Sequence, residues 1–253
     1  MRIPRILFSI YFWIWFILVS LLFLPLILTA WLLTFWWDPK RRLNLHLNFL
    51  WSRAYLLANP LWKVSVTGRE KIDLRIPTLL VANHLSIFDI FVLFYLHRTF
   101  QWVSKRSNIH IPVLGLNMAL CRTIFFDRDQ PKEILRMVKD SVKRLGEGVS
   151  LVVFPEGERS PDGRLQPFLA GAFSIAKRAK VRVQPIAITN TYKVLPRYQL
   201  ILNPRVHMSV TVLDPIPLET VQTLTTEELK DLAFERIAAA LPEDHLPRSE
   251  FNL

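Results

Sequence analysis

The sequence predicts an α/β protein with a mixed sheet flanked by helices, preceded by an N-terminal helical hairpin embedded in a membrane. Two observations carry this. Residues 6–37 hold no charged side chain, in a chain of 253 residues that is 51% apolar. Beyond residue 58, short apolar runs of strand length alternate with longer segments of helical period, the pattern of a sheet layered with helices.

The uncharged run is interrupted only by Ser9, Ser20, Pro25, Thr29 and Thr34. A spanning helix needs roughly 20 apolar residues. A cleaved signal has an apolar stretch of about 7–15, followed by small residues. Here the run is longer and ends in Phe35, Trp36 and Trp37, so it reads as a retained anchor. A straight helix of this length measures about 46 Å, against a hydrocarbon core of about 30 Å. Pro25 removes a helical hydrogen bond and favours a break there. Arg2 and Arg5 precede the run, and Lys40, Arg41 and Arg42 follow it. Basic residues favour the cytoplasmic side, so two basic ends favour a hairpin that enters and leaves one face over a single span. Trp13, Trp15, Trp31, Trp36 and Trp37 suit the membrane interface. Residues 40–58 interleave Arg42, His46 and Arg53 with leucines and aromatics, as an interfacial helix does. The expected organisation is an anchor and interfacial helix over 1–58, then an α/β domain over 59–253.

The formal charge is +11 and the pI near 10.1. Nucleic acid and an anionic membrane surface are the acidic partners such a balance admits. The anchor decides for a phospholipid membrane and against nucleic acid. Cys121 is the only cysteine, which excludes an internal disulfide and a cysteine-rich zinc site.

Along the domain, residues 62–67 alternate as a half-buried strand, and 78–82 form a short buried one. Residues 86–96 are apolar enough for a buried helix, and 123–126 form another strand. Asp129 is placed to cap a helix starting at Pro131, with Ile134, Leu135, Val138, Val142 and Leu145 on one face and Gly146 as its stop. Residues 149–154 are a strong strand, 169–178 a helix, and 181–188 and 206–213 strands. Thr225 and Glu228 make a capping box for a last helix ending near Leu241. The polar tail from Pro242 is expected to be loose.

Three sites carry chemistry. The first is Asn83-His84-Leu85-Ser86-Ile87-Phe88-Asp89, where a strand gives way to a helix. Five residues apart, His84 and Asp89 face opposite sides of a strand and lie about 140° apart on a helix. They meet only by straddling the junction. Neutral imidazole accepts a proton near neutral pH, and a carboxylate on its other nitrogen sets the tautomer. The plain alternative is a capping Asp and a surface His. The second site, Phe154-Pro155-Glu156-Gly157-Glu158-Arg159-Ser160, follows the strongest strand. Its turn holds Arg159 and Ser160 at the strand's carboxyl end, where open α/β sheets bind ligands, and Arg159 could grip a phosphate bidentately. The plain alternative is a solvated turn with an ion pair. The third site is Ile124-Phe125-Phe126-Asp127-Arg128, with Arg128 a second candidate phosphate ligand. Lys105 and Arg106 alone read as a solvated basic pair.

Together these segments resemble the 1-acylglycerol-3-phosphate acyltransferases and related glycerolipid acyltransferases. Asn83, His84, Ser86 and Asp89 match the family's N-H-x-S-x-x-D block. Ile124, Phe125, Asp127 and Arg128 match its G-x-I-F-I-D-R block. Phe154, Pro155, Glu156, Gly157, Arg159 and Ser160 match F-P-E-G-T-R-S, and Val183, Pro185 and Ile186 match an apolar strand with a proline. Ser104, Lys105, Ile111, Pro112 and Gly115 resemble the intervening region, so the likeness covers about residues 62–213. The resemblance implies a membrane enzyme acting on a lysophospholipid, with its site facing the cytoplasm from the inner membrane. His84 would deprotonate the acceptor hydroxyl, which attacks the thioester of acyl-CoA or acyl carrier protein, and Asp89 would orient His84. Arg128, Glu156, Gly157 and Arg159 would hold the glycerol phosphate, with Lys105 and Ser160 also at the substrate. No metal or other cofactor is implied. The chain departs from the pattern at Arg122, where the block has Gly, and at Glu158, where it has Thr. Leu169 and Ala170 stand in a stretch where many members carry lysine, which bears on the acceptor head group.

Overall fold

The structure, a computed structural model, describes residues 2–73, 75–97 and 99–247. The Arg2 side chain and residues 248–253 of the polar tail lie outside the described residues. The strands are β1 (Trp62–Thr67), β2 (Leu79–Ala82), β3 (Gln101–Lys105), β4 (Ile124–Phe126), β5 (Leu151–Val153), β6 (Val183–Thr189) and β7 (Val206–Val212). They form one sheet in the order β1-β7-β6-β2-β5-β3-β4. Every neighbouring pair is parallel except β6 with β7, so the sheet is mixed, as the sequence predicts. The helices are α1 (Arg2–Thr34), α2 (Arg42–Leu56), α3 (Phe88–Leu93), α4 (Leu114–Leu120), α5 (Pro131–Gly146), α6 (Gly171–Ala179), α7 (Thr191–Val194), α8 (Leu218–Thr223) and α9 (Thr226–Ala239).

Side-chain alternation divides the core into two layers. In β2, Leu80 and Ala82 join a cluster with α1, α2 and α3, while Leu79 and Val81 join one with α5, α6, α8 and α9. In β5, Val152 faces the first layer and Leu151 and Val153 the second. Strands buried on both faces lose polar alternation, which is why β2 and β5 read as plain apolar runs and β6 is apolar but for Gln184 and Thr189.

The hairpin expected within residues 6–37 does not form: that run is one long apolar helix, and its helical partner is α2. Pro25 does not break α1, which runs unbroken to Thr34. Pro25 is exposed, and the one hydrogen bond it removes does not end the helix. The chain turns over residues 35–41, where Asp38 Oδ2 accepts the Leu43 N–H at 3.1 Å, and α2 returns along α1. Asn44 Nδ2 donates to the Ile27 carbonyl at 3.0 Å, and the Phe16 and Tyr55 rings stack at 4.4 Å. By length and composition α1 is able to cross a membrane, and most of its large apolar side chains are exposed.

The anchor also belongs to the core of the domain. Phe12 is 1% exposed, with its ring edge-on to Trp62 at 5.2 Å and 5.9 Å from Phe88. Removing residues 1–37 therefore opens the layer beneath α3 rather than freeing an intact domain. Phe12→Ala is expected to destabilise the α/β domain by roughly 3–5 kcal/mol, from lost transfer and a cavity. Denaturant unfolding in detergent, followed by the near-ultraviolet signal, checks this; an unchanged midpoint would show that α1 is a separable tether.

Smaller differences have local causes. Asp129 does not cap α5; Gln130 is the cap residue, without a side-chain bond, and Pro131 starts the helix. The capping box at Thr225 and Glu228 forms. The tail is ordered through its described part because His245 is fully buried, its Nε2 accepting the Asn190 N–H at 3.0 Å. The short strand β3, carrying Ser104 and Lys105, offered too little alternation to be expected, as did α4, α7 and α8.

Candidate active site

The carboxyl ends of β2, β5, β3 and β4 lie side by side, and the residues that follow them meet there. Asn83 ends β2 and locks it to β6: its Nδ2 donates to the Ile188 carbonyl at 2.9 Å, and its Oδ1 accepts the Ile188 N–H at 2.7 Å. The chain then turns into α3, and His84 Nδ1 lies 2.8 Å from Asp89 Oδ2. The pair straddles the strand–helix junction, as the spacing requires. Asp89 is fully buried and accepts from the N–H groups of Leu85 at 2.6 Å and Ser86 at 2.9 Å. Thr191, at the start of α7, donates to Asp89 Oδ1. Both carboxylate oxygens are thus engaged, and the Asp89–His84 bond places the imidazole proton on Nδ1. Nε2 keeps its lone pair and has no hydrogen-bond partner among the described residues, the arrangement a general base needs. The Phe154 ring stacks on the imidazole at 3.9 Å and holds its plane.

The block after β5 grips the same residue by its main chain. Glu156 Oε1 accepts the His84 N–H at 2.8 Å, and the Ser160 N–H donates to the His84 carbonyl at 2.7 Å. Both side chains are buried beneath the cleft and do not line it; the Ser160 hydroxyl accepts the Gly163 N–H at 3.0 Å. Both bonds hold the His84 main chain, and neither side chain lines the cleft where the resemblance implied a substrate contact. Gly157, at φ 76°, brings the chain back sharply, and its carbonyl accepts from Arg128 Nη2. A Cβ there would come within 3.0 Å of Leu169 Cδ1 in a conformation L side chains rarely adopt.

Burial pushes the Glu156 carboxyl well above the usual carboxylate range; the N–H groups of His84 and Gln166 oppose this and the Asp89 charge adds to it. The folded state therefore holds a proton that the unfolded chain has lost. Between the ordinary value of 4.5 and the raised folded value, stability falls as pH rises, and below both the penalty vanishes. Glu156→Gln keeps an acceptor for His84 and removes this penalty. The variant is expected to gain stability relative to the parent as pH is raised from about 4 to about 8. Denaturant midpoints across that range test it; parallel curves would contradict it.

Two cavities meet at His84. One, of about 220 Å³, is largely apolar and runs among α2, α3, α4 and β3, lined by Trp51, Tyr55, Phe91, Phe94, Trp102 and Met118 among others. The other, of about 640 Å³, opens at the strand ends and carries Lys105, Arg128, Arg159 and Arg197 against Glu158. His84, Phe154 and Arg159 line both. The guanidinium of Arg159 has no protein partner among the described residues, and neither has the Lys105 ammonium. Four cations against one carboxylate make the open cleft a site for an anion.

Comparison with known proteins agrees with this geometry. The acyltransferase family profile matches residues 63–189, from β1 to the end of β6. The chain belongs to the acyltransferase family. The acyltransferase is 34% identical over 240 residues to a 1-acyl-sn-glycerol-3-phosphate acyltransferase of Chlamydomonas reinhardtii, covering 93% of this chain and 70% of that one. It is 34% identical over 161 residues to the chloroplastic enzyme of that name from Arabidopsis thaliana, covering 63% of this chain and 45% of that one. Its fold matches the crystal structure of the 1-acyl-sn-glycerophosphate (LPA) acyltransferase PlsC from Thermotoga maritima. The TM-score is 0.82 at 23% identity, over 94% of this chain and 95% of that one.

The structure accounts for two departures of this acyltransferase from the family's blocks. Arg122, where the block has Gly, adopts a left-handed φ of 61°, and its Nη1 donates to the Pro39 carbonyl at 2.6 Å, fastening the α1–α2 turn. Glu158, where the block has Thr, pairs with Arg197 at 2.7 Å. Arg197 and Thr191 are the site residues that sequence reading missed. Arg197 lies beyond the carboxyl end of β6, and the rule that drew attention to Arg128 and Arg159 applies to it as well. Thr191 carries no such signal.

Proposed function

We propose that the protein moves a fatty acyl group from a thioester donor to the free hydroxyl of 1-acylglycerol-3-phosphate, giving phosphatidic acid. The observation that carries this is His84 at the meeting point of an apolar cavity and a cationic cleft, with its free Nε2 between them. The names of the relatives support it. The apolar cavity suits an acyl chain, and Lys105, Arg128 and Arg159 suit the acceptor phosphate. His84 Nε2 takes the proton of the acceptor hydroxyl as its oxygen attacks the thioester carbon. The C–S bond breaks, the C–O ester bond remains, and the imidazolium returns its proton to the leaving thiolate. Acyl-CoA or acyl carrier protein supplies the thioester. Lys40, Arg41 and Arg42, which follow α1 on the side of the α/β domain, support a site on the cytoplasmic side of the membrane.

One observation favours a second acceptor, a lysophospholipid with a different head group or an acylated amino-acid lipid. Leu169 and Ala170 line the cleft where many relatives in the resembling family carry lysine, which leaves that wall uncharged. Comparing acceptors in variants that lack the phosphate ligands separates the readings, and kinetics on Arg159 begin it. Arg159→Ala is expected to lower kcat/KM for lysophosphatidic acid by roughly 10–100-fold, with the donor constant little changed. Arg159→Lys should recover part of this, since an ammonium keeps the charge without the planar fork. An unaltered acceptor constant with a damaged donor constant would move Arg159 to the donor.

A further inference from the structure

Residues 198–205, between α7 and β7, carry a surface that the transfer chemistry does not use. Tyr198 is 85% exposed, Leu200 71% and Ile201 42%. The segment is nevertheless held from beneath. Leu202 is fully buried, the Leu195 carbonyl accepts from Ser86 Oγ at 2.9 Å, and the Asn203 N–H donates to the Val194 carbonyl at 2.9 Å. Two bonds fasten it to the anchor: the Leu202 N–H donates to Ser9 Oγ at 2.8 Å, and Trp13 Nε1 donates to the Leu200 carbonyl at 2.9 Å. The exposed apolar side chains are therefore continuous with those of α1, Leu7, Ile10, Ile14 and Ile17 among them. Tyr198 takes a left-handed φ of 64°, with the Arg197 guanidinium 4.8 Å over its ring. Arg197 also donates to Glu158 Oε2 at 2.7 Å and to the Arg159 carbonyl at 2.8 Å. One short segment thus joins the anchor to the mouth of the cationic cleft.

We propose that residues 198–201 are a second lipid contact, lying in the headgroup region of an anionic bilayer beside α1 and holding the mouth of the cleft at the depth of the acceptor. The occupant is a lipid surface because the patch continues the apolar face of α1. It also combines a tyrosine and aliphatic tips with the exposed cation Arg205, the composition of an interfacial segment. The inference rests on α1 meeting a bilayer and not on the identity of the acceptor.

The test uses the full chain reconstituted in vesicles of phosphatidylcholine and phosphatidylglycerol, carrying His84→Ala so that turnover plays no part. Cys121 is buried and its thiol is pushed up to about 12 by that burial, so it stays unlabelled. Leu200→Cys is labelled with an environment-sensitive fluorophore and compared with Glu235→Cys, exposed on α9 in the opposite layer. The expected result is strong quenching of the first label by nitroxide lipids and weak quenching by aqueous iodide, with the reverse for the second. Equal iodide quenching at both positions overturns the proposal. So does protection of the first label that grows with protein-to-lipid ratio, which would make a second copy the occupant. In the active enzyme, Leu200→Asp with Ile201→Asp is expected to slow turnover of vesicle-borne acceptor about tenfold while sparing a short-chain acceptor dissolved as monomer. Equal loss on both acceptors would place the effect in the cleft and overturn the lipid contact.

Discussion

His84→Ala is expected to abolish turnover with the fold intact. The imidazole is held by one side-chain bond, to Asp89, and one ring stack, with Phe154. The elements around it are secured by other groups: Asn83 locks β2 to β6, and Glu156 and Ser160 hold the main chain at position 84. Those bonds survive truncation of the ring. General-base catalysis is worth about 10²–10⁴-fold, and among the described residues no other base lines both cavities. Steady-state rates beside a thermal unfolding curve check this. A folded variant retaining half the parental rate would remove His84 from the mechanism.

Asp89→Asn is expected to lose nearly as much, for a different reason. Asp89 Oδ2 faces only donors, His84 Nδ1 and the N–H groups of Leu85 and Ser86. If the amide presents its nitrogen there, two buried N–H groups lose their acceptor. If it presents its oxygen there, its nitrogen must face the Thr191 hydroxyl. In either case no carboxylate balances the imidazolium that forms during transfer. A loss of about 10²–10⁴ in kcat, with a smaller change in KM, is the expected signature. Thr191→Val separates orientation from charge. It removes one bond to Asp89 and leaves the carboxylate, so kcat should fall modestly while the pH profile keeps its shape. A Thr191→Val loss as large as that of Asp89→Asn would mean the pocket's packing, not its charge, is what matters.

The sheet was legible because its inner strands are buried on both faces and its helices on one. A strand and a helix then differ in period and run length, and β1, β2, β5, β6, β7 and α5 could be read from that, with α9 read from its capping box. β3 could not, because Ser104 and Lys105 project into a cleft that the sequence does not reveal. The anchor was legible from the absence of charge, but the hairpin expected within it is a single helix. A proline removes one hydrogen bond of its own helix without having to end it, and α1 runs on through Pro25, whereas the chain reverses over residues 35–41 with Arg41 in a left-handed conformation. At the site, the His84–Asp89 contact followed from spacing. Glu156 and Ser160 were expected at the substrate, because a motif shows that a residue is needed without showing which way it faces. Their bonds to the His84 main chain exist only once β2 and β5 lie side by side, 72 residues apart in sequence for the Glu156 bond. Thr191 reaches Asp89 across 102 residues, a distance at which no local pattern speaks.

The most direct measurement of the central claim is acyl transfer by the purified protein, with a labelled acyl-CoA and a panel of lysolipids analysed by mass. The account predicts that the label appears on lysophosphatidic acid as phosphatidic acid, at a higher kcat/KM than on lysolipids whose phosphate is esterified to a head group, and that His84→Ala does not form it. Transfer that persists in folded His84→Ala, or folded parental protein that acylates no lysophospholipid with either donor thioester, would contradict it.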